Sequence, residues 1–150
     1  MKFKFLWVGK TKDAHWKALE GEYLRRLSHF VNCEIAEVKD ATGPKSVEIE
    51  GNRIAASLNQ STFVTLLDGK GRTLSSPELA AQIEKWQTQG LREVTFIIGG
   101  ADGVSREVAD RADLALSLSF LTFTHEMVRV LLLEQLYRAY TIIRGFPYQR

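Results

Sequence analysis

The sequence predicts an α/β fold built on a mostly parallel sheet. Short apolar or alternating segments, typical of strands, alternate along the chain with segments whose apolar residues recur at helical spacing. The chain has 150 residues, of which 45% are hydrophobic and 25% charged, as is typical of a soluble globular domain that buries its own core. No internal repeat or linker divides it, so we expect one domain over residues 1–150.

The first half of the chain contains two predicted strands and two predicted helices. Residues 2–8 alternate lysine with phenylalanine and then become apolar, which predicts a strand that ends at Gly9. Residues 13–30 carry apolar side chains at helical spacing and predict a helix. Residues 33–38 alternate again as a second strand, and residues 47–58 predict a weaker helix.

The second half repeats this alternation of strands and helices. Residues 63–67 predict a buried strand, and Ser76-Pro77-Glu78 predicts a helix start with Ser76 as its capping residue. Residues 94–98 predict a strand that runs into a glycine-rich loop. The remaining predicted elements are a short helix over residues 105–111, a short strand over 114–118 and the longest helix over 124–144.

The longest helix is apolar on more than one side. Its predicted core stripe consists of Val128, Leu131, Leu132, Leu136, Ala139 and Ile143. Four further large side chains lie outside that stripe: Leu133, Tyr137, Tyr140 and Ile142. A helix of this kind is usually buried on several sides, which predicts a homodimer with this helix in the interface. The alternative is the central helix of a monomer.

Composition excludes several classes of protein. No apolar run approaches the roughly 20 residues that span a bilayer, and the first residues do not resemble a signal peptide. Cys33 is the single cysteine, and its alternating strand predicts a small buried side chain rather than a nucleophile. The three histidines are widely separated and predict no metal site. We therefore expect a cytoplasmic protein with no membrane partner.

The formal net charge of +2 is unevenly distributed. Residues 1–30 carry a charge of +4, residues 31–120 a charge of −4 and residues 121–150 a charge of +2. If the two basic ends meet in space, they form a surface suited to a polyanion such as RNA. The alternative is that these charges only keep the protein soluble.

Two glycine motifs resemble nucleotide-binding sequences without matching them. Gly9-Lys10-Thr11 resembles the end of a P-loop, but Lys4 stands where that motif requires a glycine. The loop over residues 99–103 lies between a strand and a helix, yet its glycine spacing differs from that of a dinucleotide-binding fingerprint. Its glycines would let the backbone approach a flat ligand closely, or serve only a tight turn.

The last third of the chain carries the most specific pattern. Five ordered segments stand out: residues 97–103 (IIGGADG), 116–119 (LSLS), 124–130 (THEMVRV), 134–139 (EQLYRA) and 147–150 (PYQR). Together with Val8-Gly9-Lys10 and residues 22–26, they resemble the bacterial methyltransferases that modify N3 of a pseudouridine in large-subunit ribosomal RNA. Those enzymes belong to the SPOUT superfamily, and the resemblance runs over essentially the whole chain.

The resemblance implies a fold, a methyl donor and an oligomeric state. It implies a deep trefoil knot in the C-terminal part, which connection rules alone would not predict. It also implies a homodimer in which groups of both subunits approach the target base. The donor, S-adenosylmethionine, would be held by Leu67, by Gly99 and by the segment Leu118, Ser119, Phe120, Leu121, Thr122 and Phe123.

The reaction expected from the resemblance is displacement of the sulfonium methyl by N3 of pseudouridine in 23S ribosomal RNA, in the subunit or the assembled ribosome. It needs neither a metal nor a covalent nucleophile. A cationic donor near the ring carbonyls would stabilise the transition state, and the candidates are Arg129, Arg138 and Arg150. His125 is a candidate proton acceptor or, equally, a cap or packing group. Glu134 lies one turn before Arg138 and would orient it.

The C-terminal tail is expected to act on RNA rather than on the donor. Tyr148 can stack on a base or hydrogen-bond it, and Arg150 can contact phosphate. Gln149 stands where the family usually has histidine, so a proton role is not carried over to that position. Two alternatives stay open: a SPOUT methyltransferase acting on transfer RNA, and a non-catalytic RNA-binding factor in ribosome assembly.

Overall fold

The computed structural model describes residues 1–148. Five strands form one sheet in the order β2-β1-β4-β3-β5, and all four strand pairs are parallel. The strands are β1 (Lys2–Val8), β2 (Asn32–Val38), β3 (Phe63–Thr73), β4 (Glu93–Ile98) and β5 (Leu114–Ser117). The helices are α1 (Ala14–Leu27), α2 (Ser46–Ser57), α3 (Ser76–Thr88), α4 (Arg106–Arg111) and α5 (His125–Arg144). The predicted α/β class with a mostly parallel sheet is confirmed.

Alternation along the strands divides the core between the two faces of the sheet. On β1, Phe3, Phe5 and Trp7 pack with apolar residues of α1, α3 and α5. Leu6 and Val8 point to the other face and pack in a second cluster with residues of α2 and α4. Because both faces are covered, the strands consist largely of buried apolar residues.

β3 is longer than the predicted strand over residues 63–67. Its pairing with β5 is interrupted after Leu67 and resumes at Arg72, so that the four residues between them form a bulged loop. Asp-Gly-Lys-Gly is typical of a turn, which explains the short prediction. The strand can resume because Gly71 lies against the β5 backbone, where a Cβ atom would be 2.6 Å from the carbonyl carbon of Ala115.

The starts of two helices, α3 and α5, differ in detail from the prediction. The N-cap of α3 is Ser75, not Ser76, because Glu78 stands three residues after Ser75 and completes a capping box with it. Ser76 is the first helical residue and donates its hydroxyl hydrogen to Gln135 Oε1 of α5 at 2.6 Å. The predicted start of α5 is one residue early, since Thr124 is its N-cap.

α5 lies between α1 and α3 on one face of the sheet. Leu133 and Tyr140, which lie outside the predicted core stripe, are both buried in the core of the chain itself. Much of the apolar circumference of α5 is therefore accounted for within one chain, as the monomer alternative proposes. Ile142 is 44% exposed and Phe146, just after the helix, is 54% exposed, so an apolar patch remains at its C-terminal end.

None of the helices found within residues 1–148 is long and apolar enough to cross a membrane.

Candidate active site at the carboxyl edge of the sheet

A cavity of about 720 Å³ lies beyond the carboxyl ends of β3, β4 and β5. Small-molecule sites typically occupy about 300–1,000 Å³, and parallel sheets bind ligands at this edge. Every residue predicted to hold the donor lines this cavity: Leu67, Gly99, Leu118, Ser119, Phe120, Leu121, Thr122 and Phe123. Segments separated by up to about fifty residues in the sequence thus converge on one space.

The glycine-rich loop after β4 forms one wall of the cavity. Gly103 has φ +85°, and its amide donates to the carbonyl of Gly100 at 3.1 Å to close a tight turn. A Cβ atom on Gly99 would lie 2.6 Å from Cγ1 of Val104. The missing side chain at Gly99 therefore makes room for Val104 within the loop, which favours the tight-turn interpretation of this glycine.

The segment after β5 forms the opposite wall and is stiffened by its serines. The Ser117 hydroxyl donates to the Ser119 carbonyl at 2.9 Å, and the Leu121 amide donates to Ser119 Oγ at 3.0 Å. Phe120 and Leu121 are 87% and 74% exposed. Adjacent large apolar side chains this exposed are typical of a surface that contacts a partner or ligand.

His125 is exposed and lines the cavity from the first turn of α5. Among the predicted catalytic residues within the described range 1–148, only His125 lines it. The carboxylate of Glu126, the next residue, accepts hydrogen bonds from the amides of Lys12 and Asp13. This contact fixes the start of α5 against the loop that follows β1, and with it the position of His125.

Arg129 is buried, with 2% of its surface exposed. Its guanidinium donates to the carbonyl oxygens of Val8 at 2.8 Å and Gly9 at 3.1 Å, and lies 5.0 Å from the ring centroid of Trp7. It also donates to Thr11 Oγ1 at 2.9 Å. These contacts direct the guanidinium to the end of β1 and away from solvent.

A buried carboxylate completes the Arg129 cluster. The hydroxyl of Thr11 donates to Glu20 Oε2 of α1 at 2.5 Å. Burial raises the pKa of Glu20, although the Thr11 hydrogen bond and the charge of Arg129 both act to lower it. Burial also lowers the pKa of Arg129. Residues of β1, α1 and α5 are thereby joined around one guanidinium.

A second polar group lies further along α5. Glu134 Oε1 accepts hydrogen bonds from Arg138 Nε at 3.1 Å and Nη2 at 2.5 Å, and from the Tyr148 hydroxyl at 3.3 Å. The Tyr148 ring lies 4.9 Å from the guanidinium of Arg138 and packs edge-on against Tyr137. Glu134 therefore orients Arg138, as its spacing predicts.

Burial raises the pKa of Tyr148 to about 12, with a hydrogen bond to Tyr23 and the charge of Glu134 acting in the same direction. Its hydroxyl is therefore protonated at neutral pH and can donate a hydrogen bond. A groove of about 800 Å³ runs beside this group, lined by the start of α3, the C-terminal half of α5 and the tail. The predicted residue Arg150 lies outside the described range, as does Gln149.

The cavity and the Glu134–Arg138–Tyr148 group lie at different places along α5 within one chain. His125 and Glu134 are nine positions apart on α5, which corresponds to roughly 14 Å along the helix axis, and Arg138 lies about 6 Å further. The cavity and the groove beside the Glu134–Arg138–Tyr148 group have no lining residue in common. Sequence spacing alone does not bring the predicted catalytic residues to the predicted donor pocket.

Several residues at these sites were missed by sequence reasoning. Asp68 and Lys70 line the cavity, but they lie beyond the predicted strand over residues 63–67 and the sequence pattern gives them no role. The sequence pattern indicates Thr11 only as part of an incomplete P-loop, and Glu20 only as one of the charges in residues 1–30. No periodicity signals the partnership of Thr11 with Arg129, because the two residues are 118 positions apart.

The environment of Cys33 and the placement of possible metal ligands can both be read from the described part of the chain. Cys33 is half-buried against the core, and burial raises the pKa of its thiol to about 11, as expected for a packing side chain rather than a thiolate nucleophile. Residues 1–148 contain no group of three or more His, Cys, Asp or Glu side chains placed to hold a metal ion.

Comparison with known proteins gives a consistent family over the whole chain. Residues 1–149 match the family described as Predicted SPOUT methyltransferase. Proteins named Ribosomal RNA large subunit methyltransferase H match over 100% of both chains, with 43% identity in Carboxydothermus hydrogenoformans, 42% in Halothermothrix orenii and 45% in Desulfotalea psychrophila.

Solved structures show a similar fold at low sequence identity. A Haemophilus influenzae protein described as a methylase family member aligns with a TM-score of 0.58 and 10% identity, covering 99% of this chain and 70% of that one. A Legionella pneumophila protein described as a methyltransferase in complex with the cofactor SAM aligns with a TM-score of 0.52 and 13% identity. The alignment covers 93% of this chain and 66% of that one.

The packing of the glycine-rich loop leads to a stability prediction. We expect Gly99→Ala to lower the free energy of unfolding by about 1–3 kcal/mol, because its Cβ overlaps Val104. The double variant Gly99→Ala/Val104→Ala should be more stable than the sum of the two single effects predicts. Urea denaturation of all four proteins measures this coupling. Strict additivity would show that Val104 is not what requires glycine at this position.

Proposed function

The chain belongs to the SPOUT methyltransferase family, and on that premise we propose that it transfers the methyl group of S-adenosylmethionine to N3 of a pseudouridine in 23S ribosomal RNA. The observation that carries this proposal is the convergence of all eight expected donor-binding residues on one cavity. Full-length relatives named as large-subunit ribosomal RNA methyltransferases support the choice of RNA. We assign the whole chain to one domain that acts in the cytoplasm, where ribosomes are found.

The chemistry of the cavity suits this donor. Strand-end residues such as Leu66 and Leu116 supply apolar surface for a flat ring, and the loops after β4 and β5 supply backbone groups for hydrogen bonds. Leu67, Gly99 and the segment from Leu118 to Phe123 would hold the donor. When bound, S-adenosylmethionine supplies an electrophilic methyl group on a sulfonium.

The second group on α5 suits the developing charge on the target base. Loss of the N3 proton places negative charge on the ring carbonyls, which a guanidinium or a protonated phenol can stabilise. Arg138 is held by Glu134, and Tyr148 keeps its proton at neutral pH. We assign transition-state stabilisation to Arg138 and Tyr148, with Arg150 as a further candidate in the tail.

A second copy of the chain would bring the donor cavity together with the Glu134–Arg138–Tyr148 group. The cavity-lining residue His125 lies roughly 14 Å along α5 from Glu134, so the donor cavity and the Glu134–Arg138–Tyr148 group occupy different parts of one chain. In a homodimer, the cavity of one subunit can face the α5 group of its partner. The exposed Ile142 and Phe146 supply apolar surface for such an interface.

His125 and Arg129 take different proposed roles. His125 lines the donor cavity and is the candidate proton acceptor for N3. Arg129 is buried on the carbonyls at the end of β1, so we assign it a positioning role at the start of α5 in place of contact with the base. Its predicted contribution to transition-state stabilisation would then be indirect.

Mass spectrometry of ribosomal RNA tests the proposed reaction directly. Deleting the gene should remove one methyl group from a single pseudouridine of 23S RNA, and a plasmid copy should restore it. Loss of a methyl group from transfer RNA instead would identify the alternative SPOUT substrate. Unchanged nucleotides, together with a ribosome-assembly defect, would favour the non-catalytic RNA-binding factor.

Removing the tail should separate catalysis from donor binding. We expect a chain truncated after Pro147 to bind S-adenosylmethionine normally, because no residue from Gly145 to Tyr148 lines the cavity. Methyl transfer to ribosomes should fall by about a hundredfold or more, since both Tyr148 and the geometry of Arg138 are affected. The rate of methyl transfer should fall less in Tyr148→Phe, because this variant keeps the ring against Arg138. Truncation without loss of rate would remove the tail from the mechanism.

The oligomeric state can be measured without substrate. Light scattering of the wild-type protein should give twice the 17.0 kDa mass of one chain. Ile142→Asp should shift the mass toward one chain, because it places a charge in the exposed apolar patch at the end of α5. Thr88→Asp, on an exposed position of α3, is the matched control and should leave the mass unchanged. A wild-type mass of one chain at micromolar concentration would contradict the dimer.

A further inference from the structure

The wall of the donor cavity carries an unusual pair of charges. Most of its residues are apolar, small or hydroxylic, and its ionisable side chains within residues 1–148 are Asp68, Lys70 and His125. Asp68 and Lys70 have opposite charges and lie two positions apart in the bulged loop of β3. Neither side chain forms an ion pair with any of residues 1–148.

The loop that carries this pair is held in place. Asp68 Oδ1 accepts a hydrogen bond from the Lys70 amide at 2.9 Å, which closes a local turn. Gly71 then packs directly against the β5 backbone at Ala115. The loop backbone therefore places both residues on the wall, and both residues are exposed.

The combination of charges selects among ligand chemistries. A nucleotide phosphate would be attracted by Lys70 and repelled by Asp68, and a simple cation would experience the opposite effects. A zwitterion with separate ammonium and carboxylate groups can satisfy both side chains. The amino-acid end of S-adenosylmethionine is such a zwitterion, while its adenine end suits the apolar part of the wall.

We propose that Asp68 binds the ammonium group and Lys70 the carboxylate of the donor's amino-acid end, an inference that rests on the proposed function. This subsite distinguishes complete donors from adenosine derivatives that lack the amino acid. Because both side chains are exposed, the effect is modest and decreases as salt is added.

A titration with two ligands tests the subsite. S-adenosylhomocysteine keeps the amino-acid end, and 5′-methylthioadenosine lacks it. We expect Lys70→Gln and Asp68→Asn each to weaken S-adenosylhomocysteine binding about two- to fivefold at low ionic strength, and Lys70→Glu about tenfold. Binding of 5′-methylthioadenosine should stay unchanged in all three. Asparagine at position 68 keeps an acceptor for the Lys70 amide, so the turn is preserved.

Arg72→Gln is the matched control, because Arg72 is an exposed cation on the same strand that does not line the cavity. It should bind both ligands as the wild type does. Equal losses for both ligands, or no loss for either, would overturn the subsite while leaving the proposed function intact. A wild-type protein that binds neither ligand would overturn the proposed function, and the subsite with it.

Discussion

Parallel pairing of all the strands is the constraint on which the rest of this structure depends. Because β1, β3, β4 and β5 run in one direction, the loops that leave them emerge at one edge of the sheet. The glycine-rich loop and the Leu118–Phe123 segment thereby face each other across a cavity that neither could form alone. Covering both faces with helices makes this arrangement stable, since the buried strands contain few charges that would need a partner.

The buried Arg129 connects this edge to the longest helix. Three hydrogen bonds and the face of Trp7 compensate part of the cost of burying a guanidinium, and Glu20 adds a charge of opposite sign through Thr11. Its Nε finds no partner within residues 1–148. A chain selected for stability alone would do as well with an apolar side chain here. The cluster is better explained by the need to hold the first turn of α5, which carries His125, against the end of β1.

Much of the fold could be predicted from the sequence, because periodicity reports directly on burial. The strand over residues 2–8 is predicted to the residue, and the four helices for which both ends are predicted agree within one to three residues. The extension of β3 could not be predicted, since it depends on how closely Gly71 approaches another strand. The expected donor-binding residues follow from the resemblance, and only the structure shows that they line one cavity. The trefoil knot stays a prediction, and so does every catalytic role, since both depend on arrangements beyond local sequence.

The central claim is that the cavity beyond β3, β4 and β5 is the donor site. A crystal structure of the protein grown with S-adenosylhomocysteine tests it most directly. We predict electron density for the ligand between the loop over residues 99–103 and the segment Leu118–Phe123, with the adenine against Leu66 and Leu116. Density in the groove beside the C-terminal half of α5 instead, with the first cavity empty, would contradict the claim.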